Sequence, residues 1–193
     1  LPEGINTRYV LNAVSPDKDI DVLSERSGQK ILAPAVEVVK KILEKENINL
    51  KESVVAVVGV GRLIGGPISK WLHGKCAKLY LLDSKSNPGK IKEADIIISG
   101  VGRAGLIKPT ELKEGAGVID FGYSYNGGLT GDLKTDDEAL NKLSFYTPTP
   151  GGTGPMLVAK LFENFFASFK LSGYCPGTGR FPVRFAYAES IDS

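Results

Sequence analysis

The chain has 193 residues and a mass of 20.7 kDa, enough for one ordinary domain and too little for two large ones. Its 24 Lys plus Arg almost balance 22 Asp plus Glu, a net charge of +2 that gives no support to a nucleic-acid or membrane-surface partner. Cys76 and Cys175 stand far apart and His73 is the single histidine, which argues against a disulfide scaffold or a zinc site and fits a reducing cytoplasm.

The start, Leu1-Pro2-Glu3-Gly4, lacks the basic flank and apolar stretch of a signal peptide. No apolar run approaches the ~18 residues of a membrane span. Residues 1–30 are polar and mixed, and Ser15-Pro16-Asp17-Lys18-Asp19 stops any helix that begins near Thr7, so mostly loop is expected there. From Pro34 to Asn47 the apolar positions Val36, Val39, Ile42 and Leu43 recur at three and four, with Pro34 suited to a first turn; this predicts an amphipathic helix.

Val54-Val55-Ala56-Val57-Val58 is a continuous apolar run, largely β-branched, which reads as a strand buried on both faces of a parallel sheet. Further strands are predicted at Lys78–Leu82, Ala94–Ser99, Gly117–Asp120 and Ser144–Tyr146, alternating with helical or polar stretches. That rhythm predicts an α/β fold: Rossmann-like, doubly wound, with a mainly parallel sheet and helices on both faces. From Pro155 a last helix carries Leu157, Val158, Leu161, Phe162, Phe165, Phe166 and Phe169, a band wider than one contact face needs. Beyond Leu171 the composition changes abruptly, and residues 172–193 read as a tail.

The first strand runs directly into Gly59-Val60-Gly61-Arg62-Leu63-Ile64-Gly65-Gly66-Pro67 and then a helical stretch. Gly59, Gly61 and Gly65 form a relative of the dinucleotide fingerprint in a strand–turn–helix context. The physical demand is a tight turn, a backbone that a pyrophosphate can approach without a Cβ in the way, and a helix N-terminus with free N–H groups. Gly59, Gly61, Arg62, Leu63, Ile64 and Gly65 are therefore the candidate cofactor loop. The bland alternative is a tight turn without a ligand.

Asp83 ends the second strand, at about the ~20-residue distance from Gly59 where a carboxylate accepts hydrogen bonds from the adenosine ribose. It would also repel a 2′-phosphate, whereas Ser84, Lys85 and Ser86 offer hydroxyls and a cation that could hold one. The balance favours NAD. The structural alternative for Asp83 is a turn residue at a strand end.

Thr147-Pro148-Thr149-Pro150-Gly151-Gly152-Thr153-Gly154-Pro155-Met156 resembles the Thr-Pro-Val-Pro-Gly-Gly-Val-Gly-Pro-Met signature of the bifunctional methylenetetrahydrofolate dehydrogenase/methenyltetrahydrofolate cyclohydrolase family, differing only at Thr149 and Thr153. Gly115–Gly122, Gly131-Asp132, Ala94-Asp95-Ile96, Val101–Gly105 and Ser15–Asp21 also match that family, in order, over roughly residues 1–168. The resemblance implies hydride transfer from methylenetetrahydrofolate to a nicotinamide, in cytoplasmic one-carbon metabolism including purine biosynthesis, followed in most members by hydrolysis of the methenyl product.

Residue by residue, the resemblance implies a pterin-binding carboxylate at Asp21, a ligand-facing segment at Pro150, Gly151 and Gly152, and cofactor contacts at Gly102 and Thr147. Without it, Asp21 reads as a loop cap. It divides the chain into a remnant of an N-terminal folate-binding domain (1–33), an NAD(P)-binding domain with a returning helix (34–171) and the tail (172–193).

The departures from the family carry their own expectations. The family's Tyr-x-x-x-Lys, whose lysine serves the cyclohydrolase step, occurs nowhere in this sequence, so no catalytic residue is identified and that activity is expected to be lost. The family's Asp-Gly is Asp21-Val22, its Cys-Thr-Pro is Leu32-Ala33-Pro34, and the Arg-Ser that helps hold a 2′-phosphate is Val60-Gly61, which again favours NAD against a family habit of NADP. Lys108, Lys113 and Arg103 read as solvated surface cations, not substitute catalysts. The apolar faces of the helices at 34–47 and 155–170 are expected to be bare, giving self-association or a homodimer through Phe162, Phe165, Phe166 and Phe169. Two rival functions remain: a dinucleotide-binding module without chemistry, and an inactive gene fragment.

Overall fold

The computed structural model describes residues 4–27, 31–125, 127–136 and 138–171; the expected tail and Cys175 lie outside them. Near the start, Asn6 accepts a hydrogen bond from the Tyr9 N–H at 3.0 Å and caps a short helix, α1 (Thr7–Asn12). The chain then reaches α2 (Pro34–Lys45), whose Pro34 stands in the first turn as the sequence predicts. The continuous apolar run is β1 (Val54–Val58), and α3 (Gly65–Leu72) follows it after the glycine turn. Next come β2 (Lys78–Leu82), β3 (Ile96–Ser99), β4 (Gly117–Asp120), a small antiparallel hairpin of β5 (Ser124–Tyr125) and β6 (Leu129–Thr130), β7 (Phe145–Tyr146) and α4 (Thr153–Leu171).

The sheet order is β2-β1-β3-β4-β7 and every pairing in it is parallel, with Val55 opposite both Leu79 and Ile96. All four residues of β3 and of β4 are buried, which is why those strands read as short apolar runs without alternation, each closed by a polar residue, Ser99 and Asp120. The chain steps from β1 outward to β2, then returns across β1 to β3. The C-terminal ends of β1 and β3 therefore form the topological switch point, where open α/β sheets hold ligands.

The doubly wound α/β class predicted from the sequence holds, and the two faces are covered differently. On one face α2, α3 and α4 bury Val36, Val39, Ile42, Ile68 and Leu72 against Val55, Val57, Ile96, Ile98 and Ile119. On the other, Ala56, Ile97 and Val118 pack under Ile91, Leu112 and Leu140, which lie in or directly after 3-10 turns at Pro88–Glu93, Pro109–Glu111 and Glu138–Lys142. The prolines that open two of those turns suit a first turn but do not carry the connection on into a long helix.

Several local expectations need adjustment. The strand predicted from Ala94 begins at Ile96, because the Ala94 N–H closes the preceding 3-10 turn on Ile91 O at 3.2 Å. The last helix begins at Thr153, two residues before Pro155, because the Thr153 hydroxyl is fixed to Asp120 O at 2.7 Å. The face of α2 expected to be bare is covered by α3, α4 and the sheet. Part of α4 is bare as expected: Val158, Phe162 and Phe166 are 55%, 53% and 47% exposed, and Phe165 lies edge-on to Phe166. The side chain of Phe169 lies outside the description. Among the described residues no helix is long and apolar enough to cross a membrane, and no cluster of three His, Cys, Asp or Glu is arranged for a metal ion.

Candidate dinucleotide site at the sheet switch point

The glycine turn leaves β1 with Gly59 in the left-handed region (φ +82°) and its N–H bonded to Leu82 O at 2.8 Å. A Cβ on Gly65 would lie 1.9 Å from Gly59 O, so helix and strand approach more closely than any side chain permits. Gly61 differs: a Cβ there would meet nothing within 4 Å, so its lack of a side chain leaves open space and relieves no internal contact. The Gly66 N–H closes the turn on Gly61 O at 2.7 Å. Among the described residues, the N–H groups of Gly61, Arg62, Leu63 and Ile64 donate to nothing, and they stand at the positive end of α3. A row of unengaged amides beside an open glycine is suited to anionic oxygens.

Beside the turn lies a cleft of about 420 Å³, lined by Val58 and Gly59 from β1 and its turn, Leu82, Asp83 and Ser84 from the end of β2, and Val101 and Arg103 from the loop after β3. Ile91, Leu106 and Ile107 give it an apolar floor. Asp83 is oriented: its Oδ1 accepts from the Ser86 hydroxyl at 2.7 Å and from the Lys85 N–H at 2.9 Å. Those hydrogen bonds hold its carboxyl below the usual carboxylate range, so it is ionised at neutral pH. Turn residue and ligand acceptor, the two readings of Asp83, are compatible, because Oδ2 is not used by the turn.

The structure brings Gly59, Asp83 and Ser84 to one cleft and separates other expected residues from it. Arg62 lines a neighbouring cleft of about 260 Å³ with Arg8, Val22, Leu23, Ser24 and Lys70. Thr147 lines a third, of about 510 Å³, beside Lys41 and Phe145. Its Oγ1 accepts from the Asp120 N–H at 2.7 Å, so the hydroxyl is engaged with the backbone of β4. Gly102, exposed with φ +77°, makes the bend between Val101 and Arg103. Lys85 is exposed on the Asp83 turn, and Leu63 is exposed and Ile64 half-buried at the head of α3.

On the expected folate side, Asp21 is half-buried in a loop that Asp19 caps through the N–H groups of Leu23 and Ser24, at 3.1 and 2.7 Å. Burial first, and the charge of Asp19 second, push the Asp21 carboxyl above its usual range. Asn164 of α4 ties this loop down by donating to Ile20 O and Leu32 O, both at 2.9 Å. Val22 next to Asp21 has φ +56°, in the left-handed region that favours glycine, the residue the resemblance predicts there. Pro150 and Gly151 are exposed ahead of α4, and Gly151 has φ +95°. Asp21, Gly151 and Gly152 line none of these three clefts.

Sequence reasoning gave no role to the Asp120 and Asp132 side chains, which are 1% and 0% exposed. Asp120 accepts from the Gly122 N–H at 2.6 Å and the Leu133 N–H at 2.8 Å. Asp132 accepts from the Ser99 hydroxyl and from the N–H groups of Val101 and Arg103, at 2.6, 2.8 and 2.6 Å. The sequence signal was the matched glycines Gly122 and Gly131, whose reason the fold supplies: a Cβ on Gly131 would lie 2.2 Å from Asp120 Oδ2, and one on Gly122 would lie 2.3 Å from Asp132 Cγ. Burial first, with the Asp132 charge adding to it, pushes the Asp120 carboxyl up to about 6.

Residues 33–172 match the family model described as "Tetrahydrofolate dehydrogenase/cyclohydrolase, NAD(P)-binding domain". The bifunctional protein FolD of Bacillus velezensis is 36% identical over 175 residues, covering 85% of this chain and 62% of that protein. The Bacillus subtilis protein of the same name is 35% identical over 181 residues, covering 88% of this chain and 64% of the relative. The chain thus spans less than two thirds of the length of these relatives. Among solved structures, the methylenetetrahydrofolate dehydrogenase-cyclohydrolase of Trypanosoma brucei, complexed with NADP cofactor and inhibitor, superposes with a TM-score of 0.81 at 27% identity, over 91% of this chain and 66% of that one. A 5,10-methylenetetrahydrofolate dehydrogenase from the silkworm Bombyx mori gives 0.79 at 30% identity, over 90% and 67%.

Proposed function

The chain belongs to the tetrahydrofolate dehydrogenase/cyclohydrolase family, and on that premise we propose that it binds a nicotinamide dinucleotide at the switch point and serves the oxidation of methylenetetrahydrofolate. The observation that carries this reading is the 420 Å³ cleft lined by Gly59 of the glycine turn and by the oriented Asp83 carboxylate, with the unengaged amides of Gly61 to Ile64 following Gly59 in the same turn. The donor set fits the coenzyme: amides toward a diphosphate, a carboxylate toward ribose hydroxyls and an apolar floor toward a flat base. When bound, the coenzyme supplies the hydride acceptor.

Every other contribution belongs to this chain. The turn and the head of α3 hold the diphosphate, and Asp83 selects the ribose. Its ionised carboxylate favours free 2′ and 3′ hydroxyls and repels a 2′-phosphate, and Val60-Gly61 adds no cation to offset that repulsion, so we assign the preference to NAD over NADP. On the folate side we assign Asp21 to the pterin, whose amino and ring N–H groups a carboxyl can accept, with Pro150, Gly151 and Gly152 as the backbone surface against the flat ring. Hydride transfer needs the methylene carbon and the nicotinamide at contact distance, so holding two flat ligands in register is the main catalytic contribution of such a site. Hydrolysis of the methenyl product is assigned to no residue of this sequence, which contains no Tyr-x-x-x-Lys.

The test is calorimetric titration with NAD and NADP, followed by methylenetetrahydrofolate-dependent reduction of each, read by the absorbance of reduced nicotinamide. Binding and turnover, with NAD the tighter ligand, are expected. Binding without turnover would leave a dinucleotide-binding module, and absence of binding would remove the reading altogether.

A further inference from the structure

We propose that Asp132 is a positioning residue for the dinucleotide cleft: it touches no ligand and sets the cleft wall by gripping the loop after β3. This inference rests on the reading of the cleft as a dinucleotide site. The loop from Gly100 to Arg103 has no strand or helix of its own, and it supplies Val101 and Arg103 to the wall facing Asp83. Its inner side closes on the carboxylate of Asp132, which accepts the Val101 and Arg103 N–H groups on two different oxygens, at 2.8 and 2.6 Å. Gly102 lies between these donors with φ +77°, so the two amides point to one centre because the chain bends sharply there. The Ser99 hydroxyl completes the set at 2.6 Å.

The grip comes from far along the chain, 29 to 33 positions from its partners. Asp132 follows the β5–β6 hairpin, and its own backbone carbonyl accepts the Ile107 N–H at 2.8 Å while Gly131 O accepts the Gly105 N–H at 3.3 Å. Side chain and backbone together hold the loop from Ser99 to Ile107. The side chain is fully buried, and hydrogen bonds are stronger in such low-dielectric surroundings than in water.

The held loop in turn presses on the glycine turn. A Cβ on Gly59 would lie 2.7 Å from Val101 Cγ2, and one on Gly100 would lie 2.6 Å from Ile64 Cγ2. With contacts this tight, an ångström of movement in the loop changes both the width of the cleft and the position of the residue that opens α3. Asp132 lies behind this wall, so its effect on a ligand passes through Val101 and Arg103 and not through contact.

The experiment uses the full chain and the variant Asp132→Asn, with fluorescence titration by NADH and NADPH and urea unfolding of both proteins. The amide of Asn has one acceptor oxygen and one donor nitrogen, so it faces at least one of the loop N–H groups with another donor. At least tenfold weaker binding of the tighter coenzyme is expected from protein that remains folded. A role confined to stability would lower the unfolding midpoint and leave the affinity of the folded protein unchanged; binding within twofold of the parent overturns the proposal. Hydrogen exchange on the unmodified chain gives an independent answer even if the variant does not fold. Val101 and Arg103 amides as protected as those of β3 and β4 are expected, and exchange at open-loop rates overturns the inference. Protected amides in a parent chain that binds neither coenzyme would instead overturn the functional reading, leaving the loop held by Asp132.

Discussion

Gly61→Ala and Gly65→Ala form a matched pair that separates ligand contact from fold. At Gly65 the added Cβ would lie 1.9 Å from Gly59 O and 3.1 Å from Val60 Cα, both backbone atoms with no rotamer to escape into. The turn must move, at a cost of about 1–3 kcal/mol by the usual scale of overpacking. At Gly61 a Cβ would meet nothing within 4 Å, and the backbone is outside the left-handed region. There alanine restricts only the unfolded chain, and stability should be unchanged or higher by about 0.5 kcal/mol. The methyl would nevertheless stand where the diphosphate approaches the unengaged amides. We expect Gly61→Ala to keep the parental urea midpoint and to lose at least tenfold in dinucleotide affinity, about 1.4 kcal/mol. Gly65→Ala should lose both stability and binding. Parental affinity in Gly61→Ala would refute the placement of the diphosphate, and a parental midpoint in Gly65→Ala would refute the close helix–strand approach.

The Asp120 carboxyl should titrate near pH 6 in carboxyl-labelled NMR; a midpoint near pH 4 would contradict its burial beside Asp132. Because its folded value lies above the ordinary ~3.9, the folded chain keeps a proton that the unfolded chain has released, so this group's contribution declines as pH rises from about 4 to about 6, by roughly 3 kcal/mol. At Val22, where φ is +56°, Val22→Gly should be more stable than Val22→Ala by about 1 kcal/mol in urea unfolding, the reverse of an ordinary position, because only glycine is unstrained there. An equal or opposite order would show that the loop relaxes around the side chain. Asp83→Ser should raise NADP affinity relative to NAD at least tenfold in parallel titrations; an unchanged ratio would mean that Asp83 does not face the 2′ position. The exposed stripe of Val158, Phe162 and Phe166 should make the chain self-associate at micromolar concentrations in sedimentation velocity, and Phe162→Ser with Phe166→Ser should abolish it. A monodisperse parent would count against that stripe as an interface.

By itself the sequence determined the strands and the glycine turn. Val54–Val58, Lys78–Leu82 and Gly117–Asp120 coincide with β1, β2 and β4: a short run rich in apolar residues and bounded by turn residues is a local signal, which the buried β1 and β4 and even the half-exposed edge strand β2 carry. The turn was legible for the same reason: Gly59 and Gly65 meet within a few residues of each other, so their mutual approach is encoded in their spacing. Tertiary structure alone decided what covers each face, which side of α2 is hidden, and what Thr147, Asp120 and Asp132 do. Asp132 takes its donors from Ser99, Val101 and Arg103, 29 to 33 positions away in the chain, and Thr147 reaches back 27 to β4. No periodicity reports a partner that distant. Only the parallel crossover of β3 beside β4 brings those groups to one point, so a carboxylate that the sequence marks as part of a matched Gly-Asp but gives no role becomes, in the fold, the buried acceptor for three donors.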